Sequence, residues 1–137
     1  AITADGDRVS RDNLPIEFST FGSSDLRMPC FHARYKDGST VSHFSYKGHK
    51  VFNGKKPLEG LPATYVEDDS EAQSLEITLT DDLTGVDIVL QYTVFEKYNA
   101  ITRSYRCENN GEDRITIERA LSATLDFKKC DFDIANI

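Results

Sequence analysis

The sequence lacks several features that would place it in a functional class at once. No apolar run approaches the ~20 residues that a membrane-spanning helix needs, and no helical periodicity exceeds one or two turns. Basic residues are few, since 16 of them against 23 acidic residues give a formal net charge of -7. Nucleic-acid affinity comes largely from clustered Lys and Arg at phosphates. The sequence therefore predicts neither a nucleic-acid partner nor a membrane span.

Sequence signals for a self-contained active site are also missing. The three cysteines are an odd number without metal-type spacing. Cys107 lies on the apolar parity of its segment, which predicts a buried reduced thiol and a cytoplasmic location. His32, His43 and His49 have no carboxylate at ligand spacing, so we predict surface or hydrogen-bonded roles for them. With no nucleophile elbow, phosphate-binding loop or catalytic carboxylate pair, we predict no catalytic residue, metal ligand or cofactor.

The sequence does contain sustained alternation of apolar and polar residues between Ser74 and Phe127. Four runs have a period of two: SLEITLT, VDIVLQYTVF, AITRSYRC and ITIERALSATLDF. Such alternation, rich in β-branched and aromatic residues, is typical of strands. The short joints contain Asp, Asn and Gly, which favour tight turns between antiparallel neighbours. We predict a four-stranded meander with Glu76, Gln91 and Thr93 on its polar face.

Upstream of this meander, the pattern predicts a hairpin followed by an irregular segment. Residues 30–35 and 41–52 flank the turn sequence Lys36-Asp37-Gly38-Ser39, and Gly48 indicates a β-bulge or bend in the second strand. Two prolines and a glycine exclude a regular central strand over residues 57–66, whose apolar side chains we expect to pack against the core. The chain of 137 residues is thus predicted to be one all-β domain, an antiparallel β-sandwich.

Two surface features are candidates for binding a sugar or a partner. The first is a basic and aromatic segment that contains Tyr46, His49, Phe52 and Lys55. Aromatic rings beside polar donors are typical of sugar-binding surfaces, although lysines on an edge strand also protect a sheet from aggregation. The second is the pair Asp25 and Arg27, which forms either an ion pair that fixes its own loop or a contact with a partner.

A family resemblance appears in the sequence YKGHKVFNGKKPLEGLPATYVEDDSEAQSLEITLTD. This stretch closely resembles the N-terminal domain of family 36 α-galactosidases. The similarity continues through TGVDIVLQYTVFEKYNAITRSYRCENNG and IERALSATLDF, and it covers roughly residues 13–127. The combination of GLPATYVE with LEITL and AITRS is its most specific part.

The resemblance implies a fragment of a large retaining glycosidase. In that family an N-terminal β-supersandwich, related to galactose mutarotase, precedes a catalytic (β/α)8 barrel that carries both catalytic aspartates. These enzymes hydrolyse terminal α-galactosyl residues, as in melibiose and raffinose, without a metal or organic cofactor. Many are tetramers in which the N-terminal domain of one subunit helps to close a neighbour's pocket.

Transferred residue by residue, the resemblance assigns no catalytic or ligand-binding residue to this chain. The family's sugar-contacting Asp corresponds to a position before Ala1, its Trp contact lies beyond Ile137, and the chain contains no Trp. We expect an N-terminal domain fragment, with an irregular lead-in over residues 1–13, that is inactive alone and supports the barrel, subunit assembly and pocket shape.

Two other functions stay open at this point. One is a free-standing carbohydrate-binding module centred on Tyr46, Phe52 and Lys55. The other, which ranks last, is a mutarotase-like epimerase, which would need a Glu base and a His acid converging in one cleft.

Overall fold

The computed structural model describes residues 16–22, 28–60 and 62–124. Six strands form within these ranges: β1 Phe31–Arg34, β2 Ser45–Asn53, β3 Gln73–Asp81, β4 Val86–Phe95, β5 Ala100–Asn109 and β6 Thr116–Ala120. Single 3-10 turns lie at Asp69–Glu71 and Glu96–Tyr98. This part of the chain contains no α-helix, and none of its helical turns is long and apolar enough to span a membrane.

The larger sheet has the strand order β2-β3-β4-β5, and all its neighbours are antiparallel. β3 pairs with β4 and β4 with β5 as consecutive antiparallel hairpins, as the alternating runs predicted. The turn after β3 is closed by the Asp81 carboxylate, which accepts hydrogen bonds from the backbone N–H groups of Leu83 and Thr84 at 3.1 and 3.4 Å. The next turn ends at Asn99, whose left-handed φ of 48° suits an asparagine. Local turn chemistry therefore explains these two hairpins.

The prediction of a four-stranded meander was wrong for its last strand. β6 leaves the larger sheet and pairs antiparallel with β1 in a separate two-stranded sheet. The predicted hairpin between residues 30–35 and 41–52 was also wrong, because β1 and β2 lie in different sheets. The turn itself does form, since the Tyr35 N–H donates to the Ser39 carbonyl at 2.9 Å. Alternation marks a strand and its buried side but does not name its partner.

β2 contains the bulge predicted at Gly48. Tyr46 pairs with Leu79 and Gly48 with Thr78, so Lys47 is the extra residue. A bulge of one residue reverses the alternation. Tyr46 consequently faces the same side of the sheet as His49, and the opposite side from Phe52.

The hydrophobic core lies between β1 and one face of the larger sheet, which we call the core face. Phe31, Ala33, Val86, Ile88 and Leu90 are buried there. Phe18, Phe44 and Tyr105 complete it through edge-to-face contacts, such as the 5.2 Å between the ring centroids of Phe18 and Tyr105. Each fully buried large side chain contributes roughly 1.5–3 kcal/mol.

The cysteines in the described ranges are free thiols. Cys30 is buried and Cys107 is partly buried, on the core-facing parity of β5 as predicted. Burial is the main cause that raises the pKa of the Cys107 thiol above its ordinary value, which keeps it protonated. Cys130 lies outside the described residues.

The segment from Pro57 to Val66 is irregular, as its prolines and glycine predicted. Its expected packing against the core was wrong for Tyr65, whose side chain is 75% exposed. Leu58 instead lies beside Val89 and Gln91, on the opposite side of the larger sheet from the core. Leu61 falls outside the described residues.

Candidate functional site

The side of the larger sheet opposite the core is here called the polar face, and its central residues are buried. Glu76 and Thr93 are each 1% exposed, and Gln91 is 5% exposed. The pattern predicted polar residues on this side, and that part is confirmed, but a polar outer side of a sheet ordinarily faces water. Here the segment that follows β2 and the long stems of lysine and arginine side chains cover the strands.

The Glu76 carboxylate is the centre of this covered surface. Its oxygens lie 2.9 Å from Lys50 Nζ, 3.0 Å from Lys56 Nζ and 3.1 Å from Arg106 Nη1. The three cations come from β2, from the irregular segment after β2, and from β5. Glu76 itself sits on β3 between them. One carboxylate therefore ties the irregular segment and three strands together.

Glu76 remains charged over almost the whole pH range. Burial alone would raise the pKa of this carboxyl group, but hydrogen bonds from Lys50, Lys56 and Arg106 outweigh it and lower the pKa to about 2. A buried charge is tolerated only where it is paired and hydrogen-bonded in this way. The group is consequently a permanent acceptor and cannot donate a proton near neutral pH.

Asp87, at the edge of the same face, is held in a similar way. Its Oδ2 atom lies 2.8 Å from Lys47 Nζ and 3.2 Å from Asn110 Nδ2. Hydrogen bonds from Lys47 and Thr80 are the main causes that lower the pKa of this carboxyl group. A glycosidase general acid needs a raised pKa. The pKa values of Asp87 and Glu76 are displaced in the opposite direction.

The predicted basic and aromatic segment does not form a single platform. Tyr46 and His49 share one side of β2, where the tyrosine hydroxyl and His49 Nδ1 are 2.5 Å apart. The Phe52 side chain lies on the polar face, where Lys56 Nζ is 5.1 Å from its ring centroid. Lys55 Nζ donates to the Thr64 carbonyl at 2.7 Å. The stacking surface that a carbohydrate-binding module would need is therefore split between the two sides of the sheet.

Asp25 and Arg27, the other predicted pair, lie outside the described residues. Their roles stay predictions.

The histidines are dispersed, and none meets the requirement of an epimerase site. His32 Nε2 lies 3.4 Å from Glu118 Oε2, and its ring stacks on Phe21 with 4.2 Å between centroids. Direct contact of the imidazole with the carboxylate leaves no space for a sugar between acid and base. His43 is placed by its backbone N–H, which donates to Asp81 at 3.0 Å. Within the described ranges, no group of three His, Cys, Asp or Glu residues could hold a metal ion.

The sequence pattern did not predict the cluster of cations around Glu76. Glu76 pairs with Gln91 and Gln91 with Ser104 across the hairpins, so the predicted turns would have aligned these three residues. Nothing local indicated that Lys56 folds back over β3. The contact joins residues 20 positions apart, and one of them belongs to an irregular segment without a pattern.

The family model for the glycosyl hydrolase family 36 N-terminal domain matches residues 1–137 of the chain. The chain belongs to this family. Alpha-galactosidase AgaA of Geobacillus stearothermophilus is 48% identical to this family 36 chain over 124 residues, which are 90% of the chain and 17% of AgaA. The bifunctional alpha-galactosidase/sucrose kinase AgaSK of Mediterraneibacter gnavus is 40% identical over 125 residues, 91% of the chain and 13% of AgaSK.

Solved structures agree with the family assignment. A crystal structure of a variant of AgaA from Geobacillus stearothermophilus in complex with raffinose matches this family 36 domain with a TM-score of 0.83 at 48% identity, over 87% of the chain and 17% of AgaA. The chain thus spans between about an eighth and a sixth of the length of these relatives.

Proposed function

We propose that this chain is the non-catalytic N-terminal portion of a retaining α-galactosidase that hydrolyses terminal α-D-galactosyl residues of the melibiose and raffinose type. The observation that carries the proposal is the family match over residues 1–137. The 48% identity with AgaA and the raffinose bound in the matching AgaA structure support the choice of substrate. Hydrolysis would take place in a barrel domain elsewhere in the intact protein, without a metal or organic cofactor.

The chemistry of the buried carboxylates supports the non-catalytic part of the proposal. Glu76 and Asp87 are saturated by hydrogen bonds and cations, which lower the pKa of both groups. Asp81 accepts hydrogen bonds from three backbone N–H groups and closes a turn. These are structural roles, since a glycosidase requires one carboxyl group that stays protonated and a second that is free to attack.

An exposed apolar surface supports a role in assembly. β1 and β6 contain four and five residues, against nine or ten in the strands of the larger sheet. On the core face, Val51, Val94 and Ile101 are 57%, 45% and 70% exposed. Clustered apolar exposure of this kind marks an interaction surface. We propose that the barrel domain or a neighbouring subunit of a tetramer contacts it.

The free thiols of Cys30 and Cys107 support a cytoplasmic location, because disulfide-poor chains suit a reducing compartment. Fractionation of the source cells tests this, and α-galactosidase protein recovered only in the secreted fraction would contradict it.

The activity is tested by comparing the intact protein that contains this chain with the 137-residue chain alone. We expect the intact protein to release p-nitrophenol from an α-galactoside and the isolated chain to release none. An intact protein without α-galactosidase activity would refute the proposed parentage. If the isolated chain has α-galactosidase activity, and this activity copurifies with the chain through several columns, the non-catalytic role is refuted.

The assembly surface is tested by Ile101→Asp in the intact protein, with Leu83→Asp as the matched control. Leu83 is 94% exposed in the turn between β3 and β4, away from Val51 and Val94. We expect Ile101→Asp, but not Leu83→Asp, to lower the mass of the assembly that size-exclusion chromatography with light scattering measures. Equal elution of both variants and the parent protein would contradict a subunit contact at this surface.

A further inference from the structure

A small cavity lies between the irregular segment and the polar face. Its volume is about 220 Å³. Pro57 and Leu58 form one wall, and Val89, Gln91, Ser104 and Arg106 of β4 and β5 form the opposite one. A cavity of this size corresponds to about seven water molecules and is smaller than the ~300 Å³ at which pockets for drug-sized ligands begin.

A buried hydrogen-bond donor lines this cavity. Gln91 is 5% exposed, and its Nε2 amide has no hydrogen-bond partner in the described part of the chain. Buried side-chain amides are normally satisfied, and an exception needs an explanation. Gln91 is paired with Ser104 across β4 and β5, which places a hydroxyl beside the amide. The Gln91 amide is therefore free to donate to a bound ligand that accepts hydrogen bonds.

Cations supply further donors at the mouth of the cavity. Lys56 and Arg106 line it and carry more N–H groups than their hydrogen bonds with the Glu76 and Glu108 carboxylates engage. These cations do not give the cavity a net positive charge. Lys50, Lys56 and Arg106 are balanced by Glu76, Glu108 and the lining residue Glu59. The balance favours a neutral ligand over an anion.

We propose that this cavity is a carbohydrate site that holds one monosaccharide ring. Gln91, Ser104 and Arg106 would donate to ring hydroxyls, and the apolar side chains of Pro57, Leu58 and Val89 would contact the C–H face of the sugar. The choice of galactose as the sugar rests on the proposed function.

Hydrogen–deuterium exchange of the intact protein with and without millimolar galactose tests the proposal. We expect slower exchange in peptides covering residues 56–59, which line one side of the cavity. Gln91→Met keeps the side-chain volume and removes the amide, and Ser104→Ala removes the hydroxyl. Each variant is expected to raise the galactose concentration for half-maximal protection by about tenfold, as the loss of one hydrogen bond predicts.

Thr102→Ala is the matched control, because Thr102 lies on the same strand and face as Ser104 but outside the cavity lining. It should leave the protection unchanged. Absence of protection at residues 56–59, or protection that survives both cavity variants, would overturn the carbohydrate site. If the site is overturned in this way and the intact protein hydrolyses α-galactosides, the carbohydrate site is refuted and the proposed function stands. Galactose protection without hydrolysis would support the cavity and refute the proposed function.

Discussion

Replacement of Glu76 by Gln tests whether one carboxylate holds the irregular segment on the sheet. The substitution preserves the shape of the side chain and removes its charge. Three cations then lose their common partner at 2.9, 3.0 and 3.1 Å. The buried position is left with an amide whose N–H₂ group points towards ammonium and guanidinium groups. We expect Glu76→Gln to lower the free energy of unfolding at neutral pH.

The expected loss follows from the pKa of Glu76. The value falls from 4.5 to about 2 on folding, and each pKa unit corresponds to ~1.4 kcal/mol. This bounds the contribution of the charged state at roughly 3 kcal/mol. Lys50, Lys56 and Arg106 are about half exposed, so water and salt screen part of the attraction. We therefore expect a destabilisation of about 2 kcal/mol at pH 7.

The pH dependence gives the sign of the effect. Because the folded-state pKa lies below the unfolded value, the charged carboxylate stabilises the fold above pH 4.5, and this contribution disappears as the pH falls towards 2. The difference between the parent chain and Glu76→Gln should thus be largest at neutral pH, fall to less than half of that value near pH 3, and be small only at about pH 2 or below. Urea unfolding followed by circular dichroism at several pH values measures it.

Glu112→Gln is the matched control, because Glu112 is exposed and its side chain should add little. The reasoning is refuted if the two variants are equally stable at pH 7. A destabilisation by Glu76→Gln that stays constant down to pH 3 would also refute it, because the loss would then reflect packing rather than charge.

Two further pairs of substitutions test the fold by urea unfolding. Gly54 and Gly38 have φ of +82° and +83°, but only at Gly54 would a Cβ meet a neighbour, namely the Asp69 carboxylate and the Asp69 Cα atom, the latter at 3.2 Å. Gly38→Ala should cost ~1 kcal/mol from backbone strain and Gly54→Ala clearly more, and equal losses would contradict the close approach. Ile88 is 0% exposed, and Ile88→Ala should lower the free energy of unfolding by ~3 kcal/mol. Leu83 is 94% exposed, and Leu83→Ala should lower it by less than ~0.5 kcal/mol. Similar values for both would contradict the placement of the core.

Within the described residues, the sequence by itself determined the strands and the tight turns. β4 begins and ends where the run VDIVLQYTVF does, and the β3–β4 and β4–β5 hairpins follow from short joints with Asp, Asn and Gly. These features depend on neighbours within a few residues, which is why a local pattern predicts them. The bulge at Gly48 belongs to the same category.

The tertiary structure decided the partners of the outer strands. β6 pairs with β1, more than 80 residues earlier in the chain, and β2 joins β3 instead of β1. An isolated run of alternating residues can pair with any sheet edge that lets its apolar side face the core. Its partner strand therefore depends on which sheet edge is still unpaired after the hairpins have formed. No local signal carries that information.

Tertiary structure also decided what the candidate residues can do. Tyr46 and Phe52 share sequence parity, yet the extra residue at Lys47 places them on opposite sides of the sheet. Glu76 looked like a solvent-facing residue of a strand, but Lys56 folds back from an irregular segment and buries it. Ion pairing and coverage by a distant segment depend on three-dimensional proximity, which alternation along one strand does not encode. The sequence therefore predicts which side chains are polar, and only the packed chain shows which of them are buried.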